Sequence, residues 1–282
     1  MKSWFEQAHT AKQKGDRKAS TNWKRWTPNW EQAASCYRVA TTHFLKGFNL
    51  TGTDSAFYSL LDIYERSIIA HDGSNSFLDA AEAASAAAYL IKTHPERVGV
   101  DQSKQLYFYR EAARLYQLHG SYVNAANMLI HASNMMATAT AGTDNFFGLL
   151  SEACNLFETH SDIAFRHETV FKNAIRLCVE HGEWNHVETL LDQQIRIQIP
   201  QQWLTTDRLI ICRYLVHRHI YPDEHLSIQD WMTNTQLCRT FLDWEKCPSN
   251  AIPMILYNVL PNWAIKLLRS YHKPDDSIPD FT

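Results

Sequence analysis

The chain has 282 residues, of which 45% are hydrophobic and 12% aromatic, so it has enough apolar surface for a large core and is not expected to be disordered. Its 27 Lys and Arg residues and 30 Asp and Glu residues give a formal net charge of -3, which offers no overall basic field for non-specific binding of nucleic acid. We therefore expect a globular protein whose partners do not include nucleic acid.

The N-terminal sequence MKSWFEQAHTAKQKGDRKAS is polar and lacks the apolar segment of a secretory signal peptide. No later stretch approaches the roughly 20 apolar residues of a membrane-spanning helix. The cysteines are widely separated and never form a C-x-x-C pair, which is typical of reduced, buried thiols in a cytosolic protein. We expect six core cysteines: Cys36, Cys154, Cys178, Cys212, Cys238 and Cys247.

Three tryptophans occur early, in the segment STNWKRWTPNW. Trp30 is in register with the apolar positions that follow it, so we expect it to anchor a helix in the core. Trp23 and Trp26 precede that helix in a polar loop beside Lys24 and Arg25, a composition found at membrane interfaces. Membrane contact and packing of both indoles against the first helical hairpin remain alternatives.

Apolar and small residues recur with helical spacing through most of the chain, and no stretch alternates convincingly with a period of two. Short breakers separate these segments: KGFNLTGTD, AHDGSNS, HGS, TAGTDN, HSD and HGE. Short breakers between helices of roughly 12 to 18 residues predict antiparallel helical hairpins stacked side by side. The fold is therefore predicted to be all-α.

Two of the breakers have similar wording. Gly120 is followed by Tyr122 and Ala125, and Gly182 is followed by Trp184 and Val187. In a helix–turn–helix repeat the glycine adopts a left-handed conformation, the aromatic residue wedges the turn, and small residues let the second helix approach closely. The glycines are 182 − 120 = 62 residues apart. This spacing accommodates two tetratricopeptide-like hairpins of roughly 34 residues each, slightly shortened.

The composition changes near residue 200, after which prolines become frequent. Because proline interrupts helices, we expect shorter helices there, in a compact bundle that closes the array. The sequence thus predicts two domains: a tetratricopeptide-like twisted sheet of helical hairpins over residues 1–200, and a C-terminal helical bundle with a short acidic tail over 201–282.

No catalytic motif is found: the chain lacks a phosphate-binding glycine loop, a G-x-S-x-G elbow and an H-E-x-x-H pair. We expect neither enzyme activity nor a cofactor. Cys212, His217 and His219 resemble a metal site only superficially, since no fourth ligand is near and they share a helix face only in part. A buried thiol and two surface histidines are the preferred interpretation, and all fourteen histidines are expected at the surface or in turns.

The C-terminal sequence NWAIKLLRSYHKPDDSIPDFT places a helix with Trp263 before an acidic segment that contains Phe281. A frayed terminus and a short docking peptide both fit this pattern.

Three stretches together resemble the soluble NSF attachment proteins (SNAPs), adaptors of vesicle fusion, and the gamma type most. They are WTPNWEQAASCYRVATTHF, REAARLYQLHGSYVNAANMLIHAS and LPNWAIKLLRSYHKPDDSIPDFT. The resemblance extends in order over nearly the whole chain. It implies a non-enzymatic adaptor, monomeric alone, that binds a SNARE four-helix bundle, touches the membrane surface and recruits the NSF-type ATPase. It also implies a cytoplasmic location, peripheral on endomembranes, or the host cytoplasm for a pathogen-encoded mimic.

The resemblance implies a role for eight residues. The membrane loop matches Trp23 and Trp26. The SNARE-facing lysines match Lys172 and, more weakly, Lys46. The ATPase-facing residues match Asp243 and Glu245, with a terminal motif at Asp280 and Phe281.

Several positions depart from the family pattern. Basic residues are replaced by Ser121 and Asn127, which reduces the SNARE-binding charge, and the terminal apolar residue is Phe281 in place of leucine. A divergent adaptor and a mimic that occupies one partner are both compatible with these changes. A generic tetratricopeptide-type scaffold that binds an unrelated protein is the alternative function.

Overall fold

The computed structural model describes residues 3–21, 27–97, 102–138, 143–160, 167–197, 203–224, 235–246 and 252–271. Over these ranges the chain forms thirteen α-helices and no strand, which confirms the predicted all-α class. The helices are α1 Trp4–Ala19, α2 Trp30–Thr51, α3 Asp54–Gly73, α4 Phe77–Thr93, α5 Gln102–Leu118, α6 Tyr122–Thr138, α7 Thr143–Thr159, α8 His167–Glu180, α9 Trp184–Ile197, α10 Trp203–Ile220, α11 Gln236–Lys246, α12 Met254–Val259 and α13 Asn262–Tyr271.

The chain divides into two compact units, Met1–Leu149 and Leu150–Thr282. In the first unit each helix from α1 to α6 packs against the next, as in stacked helical hairpins. In the second, α8, α9 and α10 pack in sequence, and α10 also contacts α11 and α13. This packing is consistent with a tetratricopeptide-like helical fold. The predicted change from hairpin array to bundle near residue 200 stays a prediction.

A charge cluster joins the first three helices. Asp62 of α3 pairs with Lys12 of α1 at 2.5 Å, and Arg66 bridges Asp62 and Asp16, each at 3.1 Å. Asp16 also accepts a hydrogen bond from the Tyr37 hydroxyl of α2 at 2.8 Å. Partial burial opposes ionisation of Asp62, but its hydrogen bonds to Lys12 and Arg66 outweigh this and lower its pKa.

The two glycine turns have the predicted conformation, with φ of 82° at Gly120 and 73° at Gly182. In both turns two backbone bonds close the preceding helix. At the first, Gly120 N–H donates to Gln117 O and Ser121 N–H to Tyr116 O, at 2.9 and 2.8 Å. This is the Schellman arrangement, in which a left-handed residue satisfies the last helical carbonyls. Ala125 is fully buried just after the turn, as close helix approach requires.

The predicted repeat length is wrong. The described residues between Gly120 and Gly182 form three helices, α6, α7 and α8, whereas two tetratricopeptide-like hairpins require four. Because an odd number of helices separates them, the two glycines close different kinds of connection: α5 to α6, and α8 to α9. A Schellman turn can end either the first or the second helix of a hairpin. The distance between two such turns therefore need not be a whole number of repeats.

The segment KGFNLTGTD is a breaker only at its end, because α2 continues through Thr51 and stops at Gly52, whose φ is 57°. Gly47 lies within the helix, where a Cβ would come within 2.8 Å of the Phe5 ring of α1. The glycine therefore permits close helix contact and does not end the helix.

Burial differs from expectation at three polar or thiol side chains. Cys36 is only partly buried, while Cys154, Cys178, Cys212 and Cys238 are buried as predicted, and Cys247 lies outside the described residues. His71 and His167 are buried at 6% and 3% exposure, so the prediction that every histidine lies at the surface or in a turn is wrong for both. Trp30 packs on Gly73, but it is only half-buried, so it holds its helix at the edge of the core and not within it as predicted.

Candidate functional site

Lys46 lies on α2, where it is exposed. Its ammonium is 4.9 Å from the ring centre of Trp4, a cation–π distance, and Trp4 stacks on His43 with ring centres 5.5 Å apart. Within the described ranges no carboxylate forms an ion pair with Lys46, so its charge remains available to a partner.

Lys172 lies on α8 and is exposed beside a cleft of about 380 Å³ within the second unit. Buried Ile175, Leu191 and Leu209 line the cleft, and Arg208 pairs with Glu168 at 3.0 Å along it. The described part of the chain provides no carboxylate partner for Lys172. An exposed lysine beside a cleft with both apolar and polar lining suits contact with an acidic, partly apolar protein surface.

Asp243 and Glu245 both lie on α11 but have different surroundings. Asp243 is exposed. Glu245 is partly buried and accepts hydrogen bonds from the Tyr214 hydroxyl and, at 3.2 Å, from the Arg218 guanidinium of α10. Burial, followed by the bond to Glu245, raises the pKa of Tyr214 to about 12. The structure therefore brings Glu245 into an internal network and leaves Asp243 available at the surface.

Four of the predicted site residues, Trp23, Trp26, Asp280 and Phe281, lie outside the described residues. Their roles stay predictions. The two departures at basic positions lie within the described residues: Ser121 follows the Gly120 turn, and Asn127 lies half-buried on α6. Neither supplies the positive charge of the residue it replaces.

Sequence reasoning missed an aromatic contact in the second unit. Trp184 at the start of α9 has its ring centre 4.8 Å from that of His219 on α10 and 6.4 Å from that of Trp263 on α13. The sequence assigned Trp184 a local role in the turn and described Trp263 only as part of the C-terminal helix. The sequence shows an aromatic residue at the start of α9 and another at the start of α13, but no spacing pattern predicts contact between residues so far apart.

The Cys212 group does not converge on a common point. Burial raises the pKa of the Cys212 thiol to about 12. Nδ1 of His217 is 2.8 Å from Glu188, and His219 contacts Trp184. Each side chain thus has surroundings that account for it without a metal. Within the described residues no group of three potential ligands is arranged to hold a metal ion.

Stacked helical hairpins form extended surfaces that repeat proteins of this kind use to bind other proteins. None of the described helices is long and apolar enough to cross a membrane. No family model matches the chain.

The chain is 25% identical over 291 aligned positions to the gamma-soluble NSF attachment protein of Dictyostelium discoideum. The alignment covers 96% of this chain and 84% of that protein, so the chain is SNAP-like in sequence along nearly its whole length. Among solved structures, the protein BtubC (BKLC) of P. vanneervenii shares 12% identity at a TM-score of 0.32, covering 79% of this chain and 94% of that one. This second similarity is too low to carry an argument.

Proposed function

We propose that this protein is a SNAP-like adaptor that binds assembled SNARE four-helix bundles and recruits an NSF-type ATPase to disassemble them. The observation that carries the proposal is the similarity to a gamma-soluble NSF attachment protein over 96% of the chain. The all-α fold of stacked hairpins supports it, because a SNAP acts by binding and needs no catalytic centre.

In this proposal the SNARE bundle is bound through exposed lysines. Lys172 carries the principal contact, since its charge has no ionic partner in the described part of the chain, and Lys46 contributes a second one. SNARE bundles that are acidic on their surface would be attracted by these charges, and salt would screen the attraction within about 10 Å at 0.1 M. The remaining contacts would be apolar, through clefts such as the one beside Lys172.

The ATPase is recruited through Asp243 and the segment that contains Asp280 and Phe281. Glu245 serves this surface indirectly, by holding α11 against α10 through Tyr214 and Arg218. Trp23 and Trp26 supply the membrane contact. The protein accordingly acts at the cytoplasmic face of endomembranes as a peripheral protein, and as a monomer before assembly.

The first test is capture of assembled SNARE complexes by immobilised protein at low and high salt. Lys172→Glu should reduce capture about two- to tenfold, because reversal removes an exposed ion pair and adds a repulsion of similar size. Lys266→Glu makes the same change of charge at an exposed site on α13 and should leave capture intact. Absence of capture by the wild-type protein at both salt concentrations would reject the SNARE assignment.

The second test is ATP-dependent SNARE disassembly with purified NSF-type ATPase. Disassembly that requires this protein supports the adaptor. Capture of SNARE complexes without disassembly would identify a mimic that occupies one partner. The argument for a generic scaffold is the loss of basic residues at Ser121 and Asn127. Such a scaffold would bind unassembled peptides and not SNARE bundles.

A further inference from the structure

The cleft beside Lys172 has an apolar floor. It lies within the second unit, between α8, α9, α10 and the start of α13, and its volume is about 380 Å³. Cavities of about 300 to 1,000 Å³ are typical of sites that enclose a bound group. The floor consists of lining residues that are at most 5% exposed: Ile175, Leu191, Leu209, Cys212 and Leu260. A floor of this kind is suited to a single apolar side chain laid over it.

Two polar side chains of the same cleft have no partner within the described residues. Gln194 lines the cleft at 2% exposure, and its amide forms no hydrogen bond in the described ranges. Lys172 forms no ion pair there, whereas Arg208, which also lines the cleft, is bonded to Glu168 at 3.0 Å. A buried amide and an ammonium without partners both favour an occupant that brings carbonyl and carboxylate oxygens.

Helix α13 connects this cleft to the segment that follows it. The helix begins at the cleft, where Asn262 and Trp263 are lining residues, and it ends at Tyr271. The Tyr271 hydroxyl donates to the Leu215 carbonyl of α10 at 2.9 Å. Leu215 lies three residues, or about 4.5 Å, beyond Cys212 of the cleft floor. The Tyr271 side chain therefore reaches α10 about one helical turn from the cleft.

The segment 272–282, which lies outside the described residues, has the length and the charge to return to the cleft. Helix α13 is about 15 Å long, and an extended chain covers that distance in about five residues at 3.3 Å each. Phe281 is ten residues beyond Tyr271. The segment contains three aspartates and one lysine, a net charge of -2 with histidine neutral, whereas the described lining residues have a net charge of +1. Opposite charges favour the contact.

We propose that the segment 272–282 folds back into this cleft, with the Phe281 ring on the apolar floor and the Asp280 carboxylate paired with the Lys172 ammonium. The contact is intramolecular, and a short connection gives the segment an effective concentration in the millimolar range. Its consequence rests on the proposed function. A SNARE bundle that contacts Lys172 displaces the segment, and Asp280 and Phe281 then become available to the ATPase. The cleft thus makes recruitment of the ATPase depend on prior SNARE binding.

The test is disulfide formation between two introduced cysteines in the full chain. Asn262→Cys places a thiol at the exposed rim of the cleft, and Thr282→Cys places one beside the proposed aromatic anchor. The control pair joins Thr282→Cys to Asn258→Cys, which is exposed on α12 outside the cleft lining and similarly distant along the chain. Cys36 and Cys247 are replaced by serine in both pairs.

Equilibration with oxidised glutathione gives the effective concentration of each cysteine pair. Glutathione disulfide accepts the two hydrogens that the protein thiols lose, so the reaction is balanced. We expect an effective concentration at least about tenfold higher for the rim pair than for the control pair, because only the rim pair is held together by the contact. Both pairs have nearly the same length of connecting chain, so chain length does not account for a difference.

Further substitutions identify the residues that hold the segment. Lys172→Glu should lower the effective concentration of the rim pair at least about twofold, and Phe281→Ala at least about fivefold. Lys246→Glu makes the same change of charge at an exposed residue outside the cleft lining and should have no effect. In the chain without introduced cysteines, Phe281→Ala should raise SNARE capture about twofold or more, because the segment no longer competes, while it lowers stimulation of the ATPase.

Equal effective concentrations for the rim and control pairs would overturn the proposal. A rim pair that is insensitive to Lys172→Glu and Phe281→Ala would do the same. Disulfide-linked dimers that increase with protein concentration would show instead that the segment of a second copy fills the cleft. Disulfide formation requires neither SNAREs nor the ATPase, so it decides the contact even if SNARE capture fails. Unchanged SNARE capture by Phe281→Ala would overturn the regulatory consequence.

Discussion

Replacement of Glu245 by alanine separates structural from binding roles on α11. The Glu245 carboxylate accepts hydrogen bonds from Tyr214 and Arg218, both on α10. Arg218 also lies 4.9 Å from the ring centre of Tyr271, whose hydroxyl donates to the Leu215 carbonyl at 2.9 Å. The substitution therefore removes the acceptor that joins α11 to α10 and leaves two donors without it.

The expected loss follows from the exposure of the groups. A hydrogen bond to a charged group contributes about 1.5 to 3 kcal/mol when it is protected from solvent. The Glu245 side chain is 23% exposed and that of Arg218 is 43% exposed, so their ion pair adds only about 0.2 to 1 kcal/mol. We expect a total destabilisation of about 2 to 4 kcal/mol. At about 2 to 4 °C per kcal/mol, Tm falls by roughly 4 to 16 °C.

The assay is thermal unfolding of Glu245→Ala beside Asp243→Ala. Asp243 is exposed and has no partner among the described residues, so its replacement should change stability by less than about 0.5 kcal/mol. Under the proposed function, Asp243→Ala should instead weaken stimulation of the ATPase. A Tm change below about 1 °C for Glu245→Ala would refute the reasoning, and would show that Glu245 is available to a partner. Tyr214→Phe should reproduce part of the loss.

Two further predictions concern the first unit and α7. Gly47→Ala should lower Tm, because the new methyl group would lie 2.8 Å from the Phe5 ring. Gly148→Ala should raise Tm, because this helical glycine has open space around it and alanine favours the helix by up to about 1 kcal/mol. A change of Tm in the same direction for both variants would contradict the packing argument. Burial lowers the pKa of His71, so the unfolded chain takes up the proton first and stability should fall as pH drops below about 6.5. The difference in Tm between pH 7.5 and pH 5.5 should therefore be smaller in His71→Gln than in the wild type or in the control variant His119→Gln, which changes an exposed histidine. If His71→Gln leaves this difference unchanged, His71 is not the source of the pH dependence.

The sequence predicted features that depend on short stretches of chain. The left-handed glycines at 120 and 182 and the buried Ala125 were predictable, because the backbone conformation of a Schellman turn favours particular residues locally. The repeat period was not, since the same turn ends helices in either position of a hairpin. Gly47 illustrates the opposite case: the contact that leaves no room for a side chain there is with Phe5, about forty residues earlier, and no local pattern records it.

The candidate site shows the same division at the level of side chains. A family match assigns one role to Asp243 and Glu245 because both are acidic and two residues apart, but two residues turn a helix by about 200°, so they point in nearly opposite directions. One carboxylate is at the surface and the other is bonded to α10. Lys46 likewise lies beside Trp4, which the resemblance did not include. A charge binds a partner only when its own fold leaves it free, and this follows from tertiary contacts that residue type does not encode.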